Sequence, residues 1–245
     1  MYDMVLEGAE VLHPTNSGWK REVLSIGVSN GKIQTLSSGK LAGAQMLSLV
    51  GLTVLPGLID SQVHFREPGM THKEDLETGT RGAALGGITA VFEMPNTSPA
   101  TTTREAFDDK MKRATGRTWV DHAFFIGGSP DNVEALAELE KLPGTPGLKI
   151  FMGSSTGTLL VEDDPTLEKI FRSGKRRVTL HSEDEHILRA NKKIAQDSKD
   201  VRMHPVWRSV ESAVSSTKRL LSLSEKTGRP VHVLHVTSAE EMEIL

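Results

Sequence analysis

The regular alternation of two kinds of segment after Pro56 constrains the fold of this chain more than any other feature. Short apolar runs alternate with longer segments of helical character. Thr102-x-x-Glu105 and Asp164-Pro165 are typical of helix starts, where a side chain caps the first turn. The apolar runs begin at Leu58, Ile88, Val120, Leu148, Val178 and Val231. This alternation predicts parallel strands joined by helical crossovers.

Two α/β architectures fit this pattern, an open doubly wound sheet and a closed eight-stranded barrel. No G-x-G-x-x-G sequence follows a strand, which removes the main support for a dinucleotide-binding open sheet. A (β/α)8 TIM-type barrel needs eight strands, and residues 56–245 contain six apolar runs. The last helix opens at Thr237-Ser238 and stops at Ile244-Leu245 without a C-cap. We therefore expect the N-terminal part of a longer chain, in which a barrel is truncated after about six βα units.

Residues 1–55 have the pattern of a small β layer. Segments 4–12 and 23–28 are rich in β-forming residues, and segment 45–55 is expected to add one or two strands. Asn30-Gly31 lies between two such runs and is the dipeptide most typical of a two-residue hairpin. We expect two domains, a β portion over 1–55 and the α/β portion over 56–245.

Composition excludes several classes of protein. The 29 Lys and Arg residues nearly balance the 32 Asp and Glu residues, so neither a polybasic nucleic-acid binder nor attraction to anionic membranes is expected. No apolar run approaches the length of a membrane span. The chain has no cysteine, which excludes disulfides and thiolate metal ligands. The first residues, MYDMVLEGAE, are acidic where a secretory signal is basic, and we expect a cytoplasmic protein.

Histidines and one lysine lie at the predicted carboxyl ends of the strands, where barrel enzymes carry their active sites. His64, His181 and His235 each end a predicted strand, and Lys149 lies within one. Three imidazoles from separate strands could converge on a zinc ion, although structural roles remain open from the residues alone. The other six histidines are assigned to structural or exposed positions: His13, His72, His122, His186, His204 and His232.

Five ordered motifs resemble those of dihydroorotases and their relatives in the amidohydrolase superfamily. The motifs are LPGLIDSQVHFREPG at 55–69, EMPNT at 93–97, GLKIFMGSSTG at 147–157, LHSEDE at 180–185 and HVLHVTSAEE at 232–241. The resemblance implies an eight-stranded metal-dependent barrel with a small β-sandwich built from both termini. It covers nearly the whole chain.

The resemblance also implies a metal centre. His64 would be the second histidine of a His-x-His pair on a first metal, and His181 and His235 would bind a second metal. Lys149 would be carbamylated and bridge the two. Carbamylation makes chemical sense, because it converts a cation that repels metals into an anionic oxygen ligand. The alternative for Lys149 is an ordinary lysine at the barrel rim.

For the substrate, the resemblance implies that Arg66 and Asn96 hold a carboxylate. A guanidinium matches a carboxylate in shape and charge. The alternatives are a surface ion pair of Arg66, for example with Glu67, and a turn role for Asn96. Asp60 is left as support at the end of the strand.

Two features depart from the family pattern. Gln62 occupies the position of the first histidine of His-x-His, and its amide is a weaker zinc ligand than imidazole. The eighth-strand aspartate that serves the family as general base is expected beyond Leu245, so we assign no catalytic residue within this chain, which alone is expected to be inactive. We expect one or two Zn²⁺ ions, with the second site better formed.

The expected activity is the reversible hydrolysis of dihydroorotate to N-carbamoyl-aspartate in pyrimidine synthesis. Arg66 favours this substrate, because rings without a carboxylate would not need it. Two alternatives remain. One is another cyclic amidase, of hydantoinase, dihydropyrimidinase or allantoinase type. The other is a non-catalytic partner of aspartate transcarbamoylase. We expect a small-molecule substrate and a homo-oligomer, because unpaired strand edges favour association.

Overall fold

The computed structural model describes residues 1–154, 159–198 and 200–245. The chain divides into two compact units, Met1–Leu58 and Ile59–Leu245. The motif predicted at 147–157 extends over residues 155–157, which lie outside the described residues.

The first unit is a β-sheet with the order β3-β2-β1-β4, in which β5 also pairs with β1. Strands β1, β2 and β3 are antiparallel, whereas β4 and β5 run parallel to β1. Buried Ala9, Val11 and Ile26 form its core. The strands are β1 (Tyr2–Thr15), β2 (Gly18–Ser29), β3 (Lys32–Ser37), β4 (Gly43–Ser48) and β5 (Thr53–Val54).

The hairpin predicted at Asn30-Gly31 is confirmed. The two residues have φ values of 53° and 68°, which glycine and asparagine tolerate best. Ser29 and Lys32 pair on either side of the turn. The Asp3 carboxylate accepts a hydrogen bond from the Asn30 backbone N–H at 2.8 Å, which fixes the turn against the neighbouring strand.

The described part of the chain from Leu58 onward contains seven strand segments at six positions, because only Phe125 separates β8 from β9. Five of the six positions begin at the predicted residue, and the third begins at Asp121 instead of Val120. The segments are β6 (Leu58–Val63), β7 (Ile88–Glu93), β8 (Asp121–Phe124), β9 (Ile126–Gly127), β10 (Leu148–Phe151), β11 (Val178–His181) and β12 (Val231–Val233).

Eight α-helices connect or follow these strands in the described part of the chain. The Thr103 and Asp163 side chains cap α2 and α4, one residue after Thr102 and one residue before Asp164. Thr103 and Asp163 both have the extended backbone that an N-cap residue requires, which identifies them as the caps in place of the neighbouring residues. The helices are α1 (Leu76–Leu85), α2 (Arg104–Ala114), α3 (Leu136–Leu139), α4 (Asp164–Ser173), α5 (Glu185–Asp197), α6 (His204–Trp207), α7 (Val210–Thr227) and α8 (Ala239–Met242).

Strand order decides between the two architectures. The strands pair as β6-β7-β8 and as β9-β10-β11-β12, so that sheet order follows chain order. The pairings of β7 with β8 and along β9 to β12 are parallel. A doubly wound sheet reverses its order at a switch point, whereas a β/α barrel keeps chain order. The sheet order is therefore that of a β/α barrel. Within the described residues, no helix combines the length and apolar character that crossing a membrane requires.

Candidate metal centre and active site

Four of the polar residues singled out in the sequence lie at the carboxyl ends of four strands. His64 follows β6 and Asn96 follows β7, while His181 is the last residue of β11 and His235 lies just beyond β12. Lys149 is the second residue of β10. Loops at this end of a parallel barrel build its active site, because all the strands point their carboxyl ends the same way.

His181 and His235 are in direct contact. Nδ1 of His181 lies 3.1 Å from Nε2 of His235, and the ring planes are inclined at 69°. Two nitrogens bound to one tetrahedral zinc at about 2.0–2.1 Å lie roughly 3.3 Å apart. His235 has a φ of 37°, a conformation that costs energy for a residue with a side chain and is often found at functional sites. The pair therefore has the spacing of two ligands on one metal ion.

The electrostatic surroundings keep His235 neutral. Burial, the largest cause, together with positive charge on His181 or Lys149, lowers the pKa of His235 to about 4. Neutral imidazole is the form that binds metals. A positive charge on Lys149 would disfavour protonation of both His235 and His64, so the lysine lies within electrostatic reach of both rings.

Lys149 is a buried amine without a hydrogen-bond partner in the described part of the chain. The residue is 1% exposed, and its Nζ lies 4.4 Å from the centre of the Phe151 ring. Burial holds the pKa of Lys149 well below its usual range. A neutral amine can react with carbon dioxide, and the resulting carbamate would supply oxygen ligands. The donor set of Lys149, His181 and His235 therefore fits zinc once the lysine is carbamylated.

His64 contacts Asn96 and does not join the imidazole pair. Its Nδ1 lies 2.9 Å from the amide oxygen of Asn96, which assigns the proton to Nδ1 and leaves Nε2 free. Burial and the nearby Arg66 guanidinium lower the pKa of His64 to about 4, against the opposing effect of the Asn96 hydrogen bond. Asn96 is 4% exposed, and its amide oxygen contacts His64. Its side chain therefore makes a specific contact in addition to any role in a turn.

Arg66 carries a buried nitrogen, Nη1, that has no hydrogen-bond partner among the residues described. Its backbone φ is 64°. The expected alternative, an ion pair with Glu67, does not form, because the Glu67 carboxylate binds Arg117 at 2.8 and 3.1 Å. Glu67 also accepts a hydrogen bond from the Leu76 backbone N–H at 3.0 Å. The guanidinium of Arg66 therefore offers a donor at the site end of the barrel.

Two residues of this site were missed in the sequence. The Oε2 atom of Glu183 lies 2.5 Å from Nε2 of His181, and Arg208 donates to the same carboxylate. Burial raises the pKa of Glu183, but hydrogen bonds from His181 and Arg208 outweigh it and bring the pKa to about 2. Glu183 stands in the LHSEDE motif only two residues after His181, which is the signal that could have identified it. Nothing in the sequence marks Arg208.

The histidine pair lines a cavity of about 760 Å³, with Glu183, Trp207 and Arg208 around it. Within the described ranges, no group of three or more His, Cys, Asp or Glu side chains is arranged to hold a metal ion. Asp60 accepts a hydrogen bond from the Gln62 backbone N–H at 3.0 Å, a local contact within β6.

Parallel strands in chain order, with imidazoles at their carboxyl ends and a buried lysine within one of them, define a protein of the β/α-barrel class with a polar site at the barrel mouth. The chain belongs to the amidohydrolase family, whose profile matches residues 53–244. The family resemblance stated from the sequence is therefore confirmed.

Individual relatives include several cyclic amidohydrolases. The chain is 35% identical to an allantoinase of Deinococcus radiodurans over 96% of this chain and 53% of the relative. It is 31% identical to a dihydroorotase of Methanothermobacter thermautotrophicus over 100% of this chain and 54% of the relative. The structure resembles an L-hydantoinase of Arthrobacter aurescens with a TM-score of 0.89 and 28% identity, covering 100% of this chain and 55% of that one. The chain spans about half the length of these relatives.

Proposed function

We propose that this protein is a metal-dependent cyclic amidohydrolase of dihydroorotase type, which hydrolyses dihydroorotate reversibly to N-carbamoyl-aspartate in pyrimidine synthesis. The observation that carries this choice is the buried Nη1 atom of Arg66, which lacks a partner in the described part of the chain. A buried donor without an acceptor costs about 1–3 kcal/mol, and a substrate carboxylate would remove that cost.

The metal centre proposed here uses His181, His235 and carbamylated Lys149 for the better formed site. His64 and the same carbamate would hold a first metal, with Gln62 in place of the family's other histidine. Zinc, when bound, lowers the pKa of a water molecule toward neutrality and polarises the ring carbonyl.

The chain's own residues orient the substrate. Arg66 and Asn96 bind its carboxylate and so place the cyclic amide over the histidine pair, which lowers the entropic part of the barrier. The amide nitrogen of Asn96 is the group that donates, because its oxygen contacts His64. Turnover is proposed for the whole protein, as are a cytoplasmic location, a homo-oligomeric state and binding to aspartate transcarbamoylase.

An allantoinase is the second proposal, and one observation favours it. The Deinococcus allantoinase is more similar to this chain, at 35% identity, than the Methanothermobacter dihydroorotase, at 31%. Allantoin and hydantoin lack the ring carboxylate of dihydroorotate, so the role of Arg66 separates the two proposals.

A comparison of three substrates in the wild-type protein and an Arg66→Gln variant tests the choice between dihydroorotase and allantoinase. Wild-type protein and variant are assayed with dihydroorotate, allantoin and hydantoin, and Arg81→Gln, on the α1 surface, is the matched control. We expect kcat/KM for dihydroorotate to fall about 100-fold in Arg66→Gln, because a charged hydrogen bond is lost. Allantoin turnover by wild-type protein that is unchanged in Arg66→Gln would favour the allantoinase instead.

A further inference from the structure

The Glu183 carboxylate bridges a proposed metal ligand and a guanidinium. Its Oε2 lies 2.5 Å from Nε2 of His181, and its Oε1 accepts from Nε of Arg208 at 2.9 Å. A second nitrogen of Arg208 donates to Oε2. We propose that Glu183 is a positioning residue that fixes the orientation and proton location of His181 for metal binding. This inference rests on the metal centre of the proposed function.

The two nitrogens of His181 have separate tasks in this arrangement. A carboxylate can only accept, so the His181 proton is held at Nε2. Nδ1 then keeps its lone pair, and it is Nδ1 that lies 3.1 Å from His235. A carboxylate behind a ligating imidazole fixes the ring and raises its basicity, and removing such a partner typically weakens metal binding 10- to 100-fold, roughly.

Arg208 in turn fixes the Glu183 carboxylate through two hydrogen bonds. Besides the carboxylate, its Nη2 donates to the backbone oxygen of Ser154 at 2.7 Å, and the guanidinium lies 5.2 Å from the Trp207 ring centre. Ser154 follows β10, the strand of Lys149, whereas Glu183 follows β11. One guanidinium therefore ties together the loops after two strands that carry proposed ligands.

Glu185, the first residue of α5, provides a matched control two residues after Glu183. It is 4% exposed, and its Oε2 accepts from the Ser154 backbone N–H at 2.6 Å. Its Oε1 lies 3.0 Å from Nε of Arg189. Glu185 therefore resembles Glu183 in having an arginine partner and a link to the Ser154 backbone, which is direct for Glu185 and runs through Arg208 for Glu183, while its described contacts include no imidazole.

Cobalt titration of the purified protein, carried out with bicarbonate present, tests the inference. Co²⁺ binding is followed by visible absorption in wild-type protein, Glu183→Gln, Arg208→Lys and Glu185→Gln. We expect Kd to rise about 10- to 100-fold in Glu183→Gln, by less in Arg208→Lys, and by under about threefold in Glu185→Gln. Equal effects of Glu183→Gln and Glu185→Gln would overturn the positioning role while leaving the metal centre intact.

Two other outcomes are distinguishable. A changed absorption spectrum of the Co²⁺ that Glu183→Gln still binds would make Glu183 a ligand and contradict a positioning role. If wild-type protein binds no Co²⁺, the proposed metal centre fails, and the inference fails with it.

A second measurement needs no variant and so does not depend on variant folding. Long-range ¹H–¹⁵N NMR of the metal-free wild-type protein reports which His181 nitrogen carries the proton. We expect the Nε2–H form, and an Nδ1–H form would overturn the inference.

Discussion

Two buried lysines of the same domain have opposite surroundings. Lys110 on α2 is 0% exposed, and its Nζ lies 3.2 Å from Oε2 of Glu93 and 3.3 Å from the backbone oxygen of Met94. Lys149 on β10 is equally buried, and its Nζ has no hydrogen-bond partner among the described residues. A buried charge is stable only when paired. Lys110 therefore has a structural role as the partner of Glu93, whereas no structural role in the described part of the chain accounts for Lys149.

The comparison shows how to recognise a lysine that serves chemistry. Both side chains lie against a ring, Lys110 near Phe124 and Lys149 near Phe151, so apolar contact does not distinguish them. The two lysines differ in their carboxylate partner, because Glu93 lies beside Lys110 and no such partner contacts Lys149 among the described residues. Carbamylation would supply Lys149 with the negative charge that Glu93 supplies to Lys110, and a bound cation would then balance it.

The largest expected effect comes from Lys149→Met in the whole protein. Hydrolysis of the cyclic amide should fall at least about 1000-fold, because the bridging metal ligand is lost. Steady-state kinetics and zinc analysis on the same sample measure this. The free energy of unfolding should change by under about 1.5 kcal/mol, since no partner is left unpaired. Undiminished turnover would place Lys149 with the ordinary buried lysines.

Lys110→Met should have the reverse profile. It leaves the Glu93 carboxylate buried without its cation, which typically costs about 3–5 kcal/mol of unfolding free energy. Urea denaturation measures this loss, and the double variant Glu93→Gln/Lys110→Met should recover much of it, because both charges are then gone. A single variant as stable as Lys149→Met would remove the contrast between the two lysines.

A smaller effect is expected from pH. Burial raises the pKa of Glu93 to about 7, although Lys110 opposes this, whereas the pKa of the unfolded carboxyl is near 4.5. A raised pKa means that the folded protein retains a proton that the unfolded chain has released. The stability gained is complete below about pH 4.5 and is lost as pH rises through about 7.

Comparison with Glu93→Gln isolates that contribution. As pH rises from about 5 to 8, the unfolding free energy of the wild-type protein should fall relative to Glu93→Gln by about 2–3 kcal/mol. Parallel urea titrations at several pH values give the difference. A difference that does not change with pH, or grows in favour of the wild-type protein, would show that the Glu93 carboxyl is not buried as described.

The strands were predictable because apolar runs between helical segments are a local signal. Val178 and Val231 begin β11 and β12 as predicted, and Asn30-Gly31 forms its hairpin. Helix starts were less certain, since Thr102 and Thr103 are both good caps and the backbone of the folded loop chooses between them.

The contacts of the site were less predictable than its residues. The contact between His181 and His235 joins residues 54 positions apart, and that between Glu183 and Arg208 joins residues 25 apart. Such pairs depend on how neighbouring loops fold over the strand ends. The family motifs indicated the imidazoles, but no local sequence pattern identifies Glu183 as the partner of Arg208.

Carbon-13 NMR after incubation with zinc and ¹³C-bicarbonate tests the central claim most directly, namely that Lys149 is a carbamylated metal ligand. The account predicts one carbamate signal in wild-type protein, its loss in Lys149→Met and its retention in Lys110→Met. A wild-type spectrum without a carbamate signal, or a signal that survives in Lys149→Met, would contradict it.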